Sequence, residues 1–242
     1  MAHKLSDGID WYWPAALETL RDQFQSGSPY PHLVLDRVFP PDALLDLYAD
    51  VPDQSNPLWR QWGSGGPENC LPQNSKRGIS ALMLLSDRIS FFLKQLNSDV
   101  FLRDIRAIAG MPDLTIDPTF NGGGLHCTGR GGHLRIHSDK VRHPRPSQFD
   151  QALNLILFIN PHWCTEFGGA LELWSRDAAK RIVSISPLFN RLVLFQSDRS
   201  TYHGHPEPVL CPNGMYRSSL AVYYYVPRKT PLLLLENEID FK

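Results

Sequence analysis

The stretch His133-Leu134-Arg135-Ile136-His137-Ser138-Asp139 has the alternation of a β-strand with its polar side chains on one face. Successive side chains of a strand point to opposite faces, so His133, Arg135, His137 and Asp139 are expected to share one side. The two aliphatic residues then occupy the other side. An imidazole and a carboxylate at neighbouring positions of one face predict a site for a divalent first-row metal ion.

Such a pair needs at least one more protein ligand from elsewhere in the chain. The sequence offers Tyr202-His203-Gly204-His205, in which either histidine could face the site. Two histidines and one carboxylate with open coordination positions form the facial triad of non-haem Fe(II) enzymes. Because His-x-Asp alone is a common sequence, the metal prediction depends on what the second half of the chain adds.

Length and composition limit the classes of protein to be considered. The 242 residues carry 42% hydrophobic residues and a net charge of −1, which indicates a globular protein without nucleic acid or an anionic membrane as partner. The four cysteines form no C-x-x-C pair, so neither a disulfide framework nor a thiolate zinc site is expected. An apolar signal segment and a run of about 18 apolar residues are both lacking, which favours a cytoplasmic protein without a membrane span.

The first 110 residues are predicted to be largely helical, because apolar residues recur there at three- and four-residue steps. The predicted helices cover residues 14–24, 40–49, 87–96 and 100–109, and a strand is predicted at residues 32–38. Residues 53–76 are rich in Gly, Pro, Asn and Ser and contain two tryptophans. This segment is predicted to be a long loop, either held by buried tryptophans or serving as a substrate-binding lid.

After residue 118 the hydrophobic period changes and short strands with turn residues between them follow one another. Strands are predicted at residues 125–128, 133–139, 152–160, 170–174, 180–185, 191–196 and 217–226. Regularly spaced strands of this kind indicate a sandwich or barrel. We therefore predict an α+β fold that is mainly β and forms a single domain over residues 1–242. Residues 118–230 would form a jelly-roll core that carries the site, and residues 1–117 the helical support with an N-terminal strand.

The last predicted strand opens with a candidate anion site. Arg217 and Ser219 lie two positions apart and so share a face of this strand. The planar guanidinium group of arginine can bind a carboxylate through two parallel hydrogen bonds, and a nearby hydroxyl can add a third. Arg217 follows His203 by fourteen residues, so the sequence predicts a carboxylate site close in the chain to a candidate metal ligand.

As a set, these motifs resemble the Fe(II)- and 2-oxoglutarate-dependent oxygenases, specifically their prolyl-4-hydroxylase-like branch. The resemblance covers roughly residues 120–228 in the order of the family, and residues 31–36 resemble the N-terminal strand of this branch. The matching pieces are His137-Ser138-Asp139, residues 153–160 with Trp163, residues 168–173, residues 190–195, Tyr202-His203-Gly204 and Arg217-Ser218-Ser219.

The resemblance implies a double-stranded β-helix of the cupin-like type and a metal site formed by His137, Asp139 and His203. Arg217, with Ser219, would bind the distal carboxylate of 2-oxoglutarate, whose keto-acid end would chelate Fe(II), and O2 would take the last position. The implied reaction hydroxylates an unactivated C–H bond and releases succinate and CO2, with ascorbate as a candidate stimulant. The presence of a metal carboxylate favours hydroxylation over the halogenation that some relatives perform.

Several positions keep more than one interpretation. Phe158 stands near the place where related hydroxylases have a tyrosine for the distal carboxylate, so Ser219 or another polar group must substitute. Asn154 is either a satisfied core amide or a hydrogen-bond donor to the 2-oxoglutarate carboxylate near iron. His203 is preferred as the second histidine ligand because it matches the His-Gly step of the family, which leaves His205 either behind the metal ligands or at the surface.

The substrate is predicted to be an amino-acid-type small molecule or a peptide. Arg135, together with Arg142 and His143 in the basic segment 140–148, is a candidate for binding an acidic substrate, although such a segment is often a solvated loop. Three alternatives stay open: a protein prolyl hydroxylase, a cupin-like metal dioxygenase that does not use 2-oxoglutarate, and a non-catalytic jelly-roll binding module. The oligomeric state is left open.

Overall fold

Helices on one side, two larger antiparallel β-sheets and a short two-stranded sheet make up the architecture seen in a computed structural model of the chain. The structure describes residues 2–3, 8–61, 76–139, 143, 148–228 and 240–241. In chain order the strands are β1 (Ala2–His3), β2 (Trp11–Tyr12), β3 (His32–Asp36), β4 (Arg60–Gln61), β5 (Arg77–Ile79), β6 (Thr115–Ile116), β7 (Gly124–Thr128), β8 (Leu134–Ser138), β9 (Phe149–Phe158), β10 (Leu171–Trp174), β11 (Arg181–Ile185), β12 (Arg191–Gln196), β13 (His203–His205), β14 (Arg217–Pro227) and β15 (Asp240–Phe241). The α-helices are α1 (Leu17–Gln25), α2 (Pro41–Ala49), α3 (Asp87–Leu96) and α4 (Asp99–Ala109).

The four helices appear where the apolar periodicity predicts them, with shifts at their ends. Helix α2 has a proline in its first turn, where the missing N–H costs no intrahelical bond. The hydroxyls of Ser86 and Ser98 accept hydrogen bonds from backbone N–H groups in the first turns of α3 and α4. Helix α4 ends at Gly110, whose positive φ of 67° suits glycine. Within the described ranges, every helix is too short or too polar to cross a lipid bilayer.

The large sheet provides the surface on which the helices pack. Its strand order is β3-β12-β9-β14-β7-β5-β4, and β6 pairs with β14. In the central strand β9, Leu153, Leu155 and Leu157 belong to one apolar cluster with residues of all four helices. At alternate positions, Ile156 and Phe158 pack instead with residues of the small sheet. Burial of β9 on both faces explains why its sequence is a nearly continuous apolar run.

The small sheet lies over the other face and has the order β11-β10-β13-β8-β15. Its strands pair antiparallel, as do those of the large sheet. The apolar residues between the two sheets come from both of them, which makes the jelly-roll core of the double-stranded β-helix. The predicted fold class is confirmed: the chain is mainly antiparallel β, with its helices in the first half.

Several short strands of the fold were not predicted from the sequence. Residues 77–79 form strand β5, which extends the large sheet beyond β7, whereas the sequence indicated no strand there. The predicted loop at 53–76 is described only in part. Trp59 is buried there and its Nε1 donates to the carbonyl of Asp53 at 2.9 Å. Residues 62–75, with Trp62, lie outside the described residues, as do residues 229–239.

Strand β8 departs from the regular alternation that its sequence predicts. His137 pairs with His203 on β13, but His205 pairs with Leu134, so β8 holds one more residue than β13 between the two pairs. An extra residue of this kind is a β-bulge, and it turns the side chains beyond it. As a result Leu134 lines the central cavity, whereas Arg135 is exposed and does not line it. The expectation that Arg135 shares the face of His137 is therefore wrong.

Candidate metal centre and cofactor cavity

Three predicted metal ligands meet where strands β8 and β13 of the small sheet pair. His137 lies on β8, Asp139 directly follows this strand, and His203 opens the neighbouring strand β13. One ligand atom from each side chain lies within 4.8 Å of the other two. The Nε2 atoms of His137 and His203 are 3.5 and 3.6 Å from the two carboxylate oxygens of Asp139. These separations leave room for an ion bonded to all three at about 2 Å.

Backbone carbonyls fix the orientation of both imidazole rings. Nδ1 of His137 lies 2.8 Å from the carbonyl oxygen of Arg135, and Nδ1 of His203 lies 3.1 Å from that of Thr201. A carbonyl oxygen can only accept, so each Nδ1 carries the hydrogen and each Nε2 keeps its lone pair. Metal-binding histidines are commonly held in this way. The donor set therefore fits a metal ion at the two Nε2 atoms.

The carboxylate of Asp139 is held ionised by its neighbours. Burial alone would raise its pKa, but His203, His137 and a hydrogen bond from Asn154 outweigh this effect and lower the pKa well below the usual range. Burial also lowers the pKa of His203 to about 4, although Asp139 opposes the change. At pH 7 both groups are thus in the deprotonated form that metal binding requires.

Asn154 supports this centre from the large sheet. Its Nδ2 donates to Oδ2 of Asp139 at 2.6 Å, and Nε2 of Gln151 donates to the same oxygen at 3.1 Å. Gln151 also donates to the side-chain oxygen of Asn154, which completes a short polar network. Asn154 is thus a satisfied buried amide whose hydrogen bond orients the metal carboxylate. A direct contact of Asn154 with 2-oxoglutarate stays a prediction.

Replacing Asn154 by leucine is expected to lower Fe(II) affinity by about 10- to 100-fold, the usual cost of losing a hydrogen bond to a metal ligand. Leucine keeps a similar volume but removes the donor to Asp139. Anaerobic titration with Fe(II) measures the effect, with the exposed Asn213→Ala as control. Unchanged affinity in Asn154→Leu would show that Asp139 needs no support from this amide.

Arg217 is buried at the start of β14, with its charge directed into the same cavity. Its Nε donates to the carbonyl of Gly169 at 2.5 Å, and its guanidinium lies 4.9 Å from the ring centre of Phe158. Gly169 has a φ of +68°, and a Cβ there would come within 2.9 Å of the arginine Cδ. Only glycine permits this approach, which accounts for the second glycine of the Gly168-Gly169 pair.

The guanidinium of Arg217 is a candidate binding group for an anion. Burial lowers the pKa of Arg217 to about 9, so the group stays protonated at pH 7. Among the described residues, no carboxylate forms an ion pair with it. A buried cation that lines a cavity favours an anionic ligand, because removing it from water is costly without a partner. Ser219 lies on the same face of β14 and lines the same space.

The cavity between the sheets joins the two centres. It measures about 460 Å³, including the part open to solvent. Its walls combine the His-Asp-His cluster, the cations Lys76 and Arg217, and apolar side chains. The lining residues are Lys76, His126, Leu134, His137, Asp139, Asn154, Ile156, Leu171, His203, Gly204, His205, Arg217, Ser219, Ala221 and Tyr223.

The sequence analysis missed two polar lining residues and left the position of a third open. His126 faces Ser219 across β7 and β14, and the alternation of β7 would have indicated its direction. Lys76 precedes β5, a strand that the sequence did not reveal. His205, expected either behind the metal ligands or at the surface, is buried in the cavity wall, and neither of its ring nitrogens has a hydrogen-bond partner among the described residues.

The predicted substrate residues are not brought together at the cavity. His143 is buried, with its Nε2 3.0 Å from the carboxylate of Asp117 and its ring against Tyr225. It does not line the cavity, and neither does the exposed Arg135. Arg142 lies outside the described residues. A role of these three residues in substrate binding stays a prediction.

Comparison with known proteins agrees with this geometry. Residues 123–225 match the family model of the 2OG-Fe(II) oxygenase superfamily. No curated protein matches the sequence. Among solved structures, a Trichoplax adhaerens prolyl hydroxylase in complex with a hypoxia inducible factor peptide fragment is similar, with a TM-score of 0.56 and 18% identity, covering 87% of this chain and 90% of that one.

Two bacterial structures have the same fold. A Pseudomonas putida prolyl-4-hydroxylase has a TM-score of 0.51 and 15% identity over 95% of this chain and 100% of its own. HygX from Streptomyces hygroscopicus, with nickel and 2-oxoglutarate bound, has a TM-score of 0.55 and 12% identity over 92% of this chain and 96% of its own. From the family match, the shared fold and the His-Asp-His cluster, this chain is an enzyme with the core of a 2OG-Fe(II) oxygenase, dependent on iron and 2-oxoglutarate.

Proposed function

We propose that this enzyme hydroxylates an unactivated C–H bond of an amino-acid-type small molecule or peptide, with succinate and CO2 as co-products. The main support is the placement of the His-Asp-His cluster and the buried Arg217 guanidinium in one cavity. A metal site and a cation in one enclosed space suit a ligand with a keto acid at one end and a carboxylate at the other. A cupin-like dioxygenase without 2-oxoglutarate would have no use for this buried arginine.

The residues divide between two tasks. His137, Asp139 and His203 would hold Fe(II) through two Nε2 atoms and a carboxylate oxygen. Arg217 and Ser219 would bind the distal carboxylate of 2-oxoglutarate. When bound, iron and 2-oxoglutarate supply the oxidation: O2 is consumed, 2-oxoglutarate becomes succinate and CO2, and one oxygen atom enters the substrate C–H bond.

Apolar walls strengthen the proposed carboxylate site. Leu134, Ile156, Leu171 and Ala221 line the cavity together with the polar groups. Electrostatic attraction is stronger where such side chains exclude water. The arginine is also held in place by the carbonyl of Gly169 before any ligand arrives. A cation with a fixed orientation loses less side-chain entropy on binding, which favours tight capture of a dicarboxylate.

His205 is the polar group that we propose in place of the tyrosine of related hydroxylases, because Phe158 cannot donate a hydrogen bond. His205 is buried, and within the described part of the chain neither ring nitrogen has a hydrogen-bond partner. Burial and the charge of Arg217 keep the pKa of His205 well below its ordinary value, so the ring is neutral. A neutral imidazole beside Arg217 can donate one hydrogen bond to the distal carboxylate.

Replacing His205 by leucine is expected to raise the 2-oxoglutarate concentration needed for half-saturation by about 10-fold or more, the cost of one hydrogen bond to a charged group. Fe(II) affinity should change little, since His205 is not in the metal cluster. Glutamine, which restores a donor, should recover part of the loss. Equal weakening of Fe(II) and 2-oxoglutarate binding would indicate a structural role instead.

The experiment that tests the proposed reaction is oxygen-dependent turnover with candidate substrates. Succinate release and addition of one oxygen atom to the substrate are measured together by mass spectrometry. One arm uses short proline-containing peptides, because the similar Trichoplax structure is a complex with a peptide fragment. The other arm uses small molecules, here free amino acids, because HygX binds the small molecule hygromycin B. Succinate without any oxygenated product, whatever the substrate, would contradict hydroxylation.

The compartment in which the enzyme works is also proposed. Cys127, Cys164 and Cys211 are free thiols, which suits a reducing compartment, and we propose the cytoplasm. Ascorbate is proposed only as a stimulant. The proposed reaction needs no protein partner besides the substrate.

A further inference from the structure

Tyr223 brings a phenol into the cavity at the level of the metal cluster. It lies on β14, where it pairs with Asn154 of β9, the residue whose amide donates to Asp139. Tyr223 and Arg217 line the same cavity but lie six residues apart on β14. A strand rises about 3.3 Å per residue, so about 20 Å of strand separates their backbones. Tyr223 is therefore at the metal end of the cavity, and Arg217 is at the end proposed for the distal carboxylate of 2-oxoglutarate.

The ring of Tyr223 is held beside a turn of the chain. Gly122 has a φ of +76°, and a Cβ at this position would come within 2.9 Å of Cε2 of the tyrosine ring. Only glycine leaves the ring this space. Asn121, the neighbour of Gly122, is exposed, and it lines a second hollow of about 150 Å³ together with Tyr223. The ring thus reaches from the metal end of the main cavity to a turn at the protein surface.

The hydroxyl of Tyr223 has no hydrogen-bond partner among the described residues, and its side chain is only partly buried. By contrast, the hydroxyl of the next residue, Tyr224, donates to the carbonyl of Leu96 on the helix side of the sheet. Burial and the charge of Asp139 keep the pKa of Tyr223 well above its ordinary value. The phenol is therefore neutral at pH 7 and can donate one hydrogen bond to a ligand in the cavity.

We propose that Tyr223 is a specificity-determining residue whose hydroxyl donates a hydrogen bond to a carbonyl oxygen of the primary substrate. A phenol is a better donor than acceptor, because its ring withdraws electron density from the oxygen. The carboxylate of a free amino acid and the carbonyl of a peptide group both offer a suitable acceptor. The bond would orient the substrate at the metal end of the cavity. This inference rests on the proposed function, because it takes Arg217 as the partner of 2-oxoglutarate.

The test uses three probes for each of a panel of L-amino acids: the free acid, its primary amide and the amine that lacks the carboxyl carbon. Acid and amide offer the carbonyl oxygen and the amine does not, and the acid and the amide represent a free amino acid and a peptide group. Each dissociation constant is measured by calorimetric titration of the anaerobic protein with Fe(II) and 2-oxoglutarate. Tyr223→Phe removes only the hydroxyl. Tyr12→Phe is the matched control, because Tyr12 is exposed.

In Tyr223→Phe, the acid that the wild type binds best should bind about 10-fold or more weakly, and its amide about 3- to 10-fold more weakly. These are the effects of losing one hydrogen bond to a charged and to a neutral acceptor. The amine and 2-oxoglutarate should bind as they do to the wild type, which also shows that the variant is folded. During turnover, less of the succinate should be matched by oxygenated product, because the substrate is held less firmly. Tyr12→Phe should leave every value unchanged.

Several results would overturn the inference. Unchanged binding of acid and amide in Tyr223→Phe would show that the hydroxyl does not contact the substrate. Equal weakening of the amine would give the ring a packing role, and equal weakening of 2-oxoglutarate would assign the hydroxyl to the cofactor. If no acid or amide binds the wild type more tightly than its amine, the site does not recognise a carbonyl oxygen. Failure of the proposed function looks different: the wild-type protein with Fe(II) would then give no 2-oxoglutarate complex at all.

Discussion

Replacing His137 by alanine is expected to abolish the visible charge-transfer band that forms when 2-oxoglutarate chelates Fe(II) in the absence of oxygen. The substitution removes one of three ligand atoms that lie within 4.8 Å of one another. Loss of an outer hydrogen-bond partner already costs about 10- to 100-fold in metal affinity, so loss of a ligand should cost more than about 100-fold. Turnover should fall below detection for the same reason.

The design of this experiment separates metal loss from unfolding. His137 is buried, so the fold of the variant is checked by its thermal unfolding temperature and far-UV circular dichroism. His162→Asn is the matched control, because His162 is exposed and its positive φ of 61° is tolerated by asparagine. A normal band in a folded His137→Ala protein would remove His137 from the metal site.

Replacing Arg217 by alanine is expected to raise the 2-oxoglutarate concentration needed for the same band by about 30-fold or more. Truncating one member of a buried, hydrogen-bonded charge pair costs about 2–5 kcal/mol, and each 1.4 kcal/mol is tenfold in affinity. Arg217 is buried, is directed by Gly169 and stays protonated at pH 7, so the full charge is available to a carboxylate. Fe(II) binding without 2-oxoglutarate should be preserved.

Two further variants sharpen this test. Arg217→Lys keeps the charge but loses the planar double hydrogen bond, and we expect an intermediate affinity. Arg199→Ala, an exposed arginine, should behave like the wild type. If Arg217→Ala binds 2-oxoglutarate normally while iron is present, the distal carboxylate must bind elsewhere, and Lys76 becomes the next candidate.

The position of the site in the fold followed from local sequence patterns. His137 and Asp139 lie two residues apart, and a strand brings such residues to one face whatever the rest of the chain does. The prediction of His203 over His205 came from the resemblance to a family, and the structure does place His203 in the cluster. Arg217 and Ser219 share a face of β14 for the same local reason.

Other features depend on contacts between distant parts of the chain. Arg135 should have faced the metal by alternation alone, but pairing of β8 with β13 introduces a bulge that turns it outward. His143 is held by Asp117, a residue from before the jelly roll, and so does not reach the cavity. Pairings of this kind are energetically decisive but leave no periodic signal in a single segment.

By itself, then, the sequence determined the fold class, the metal pair and the arginine, because each depends on the fixed two-residue period of a strand. The tertiary structure alone decided that Lys76 and His205 line the cavity. Lys76 comes to the cavity only because β5 adds to the edge of the large sheet beside β7. This lining residue is thus placed by long-range strand pairing, which no local pattern encodes.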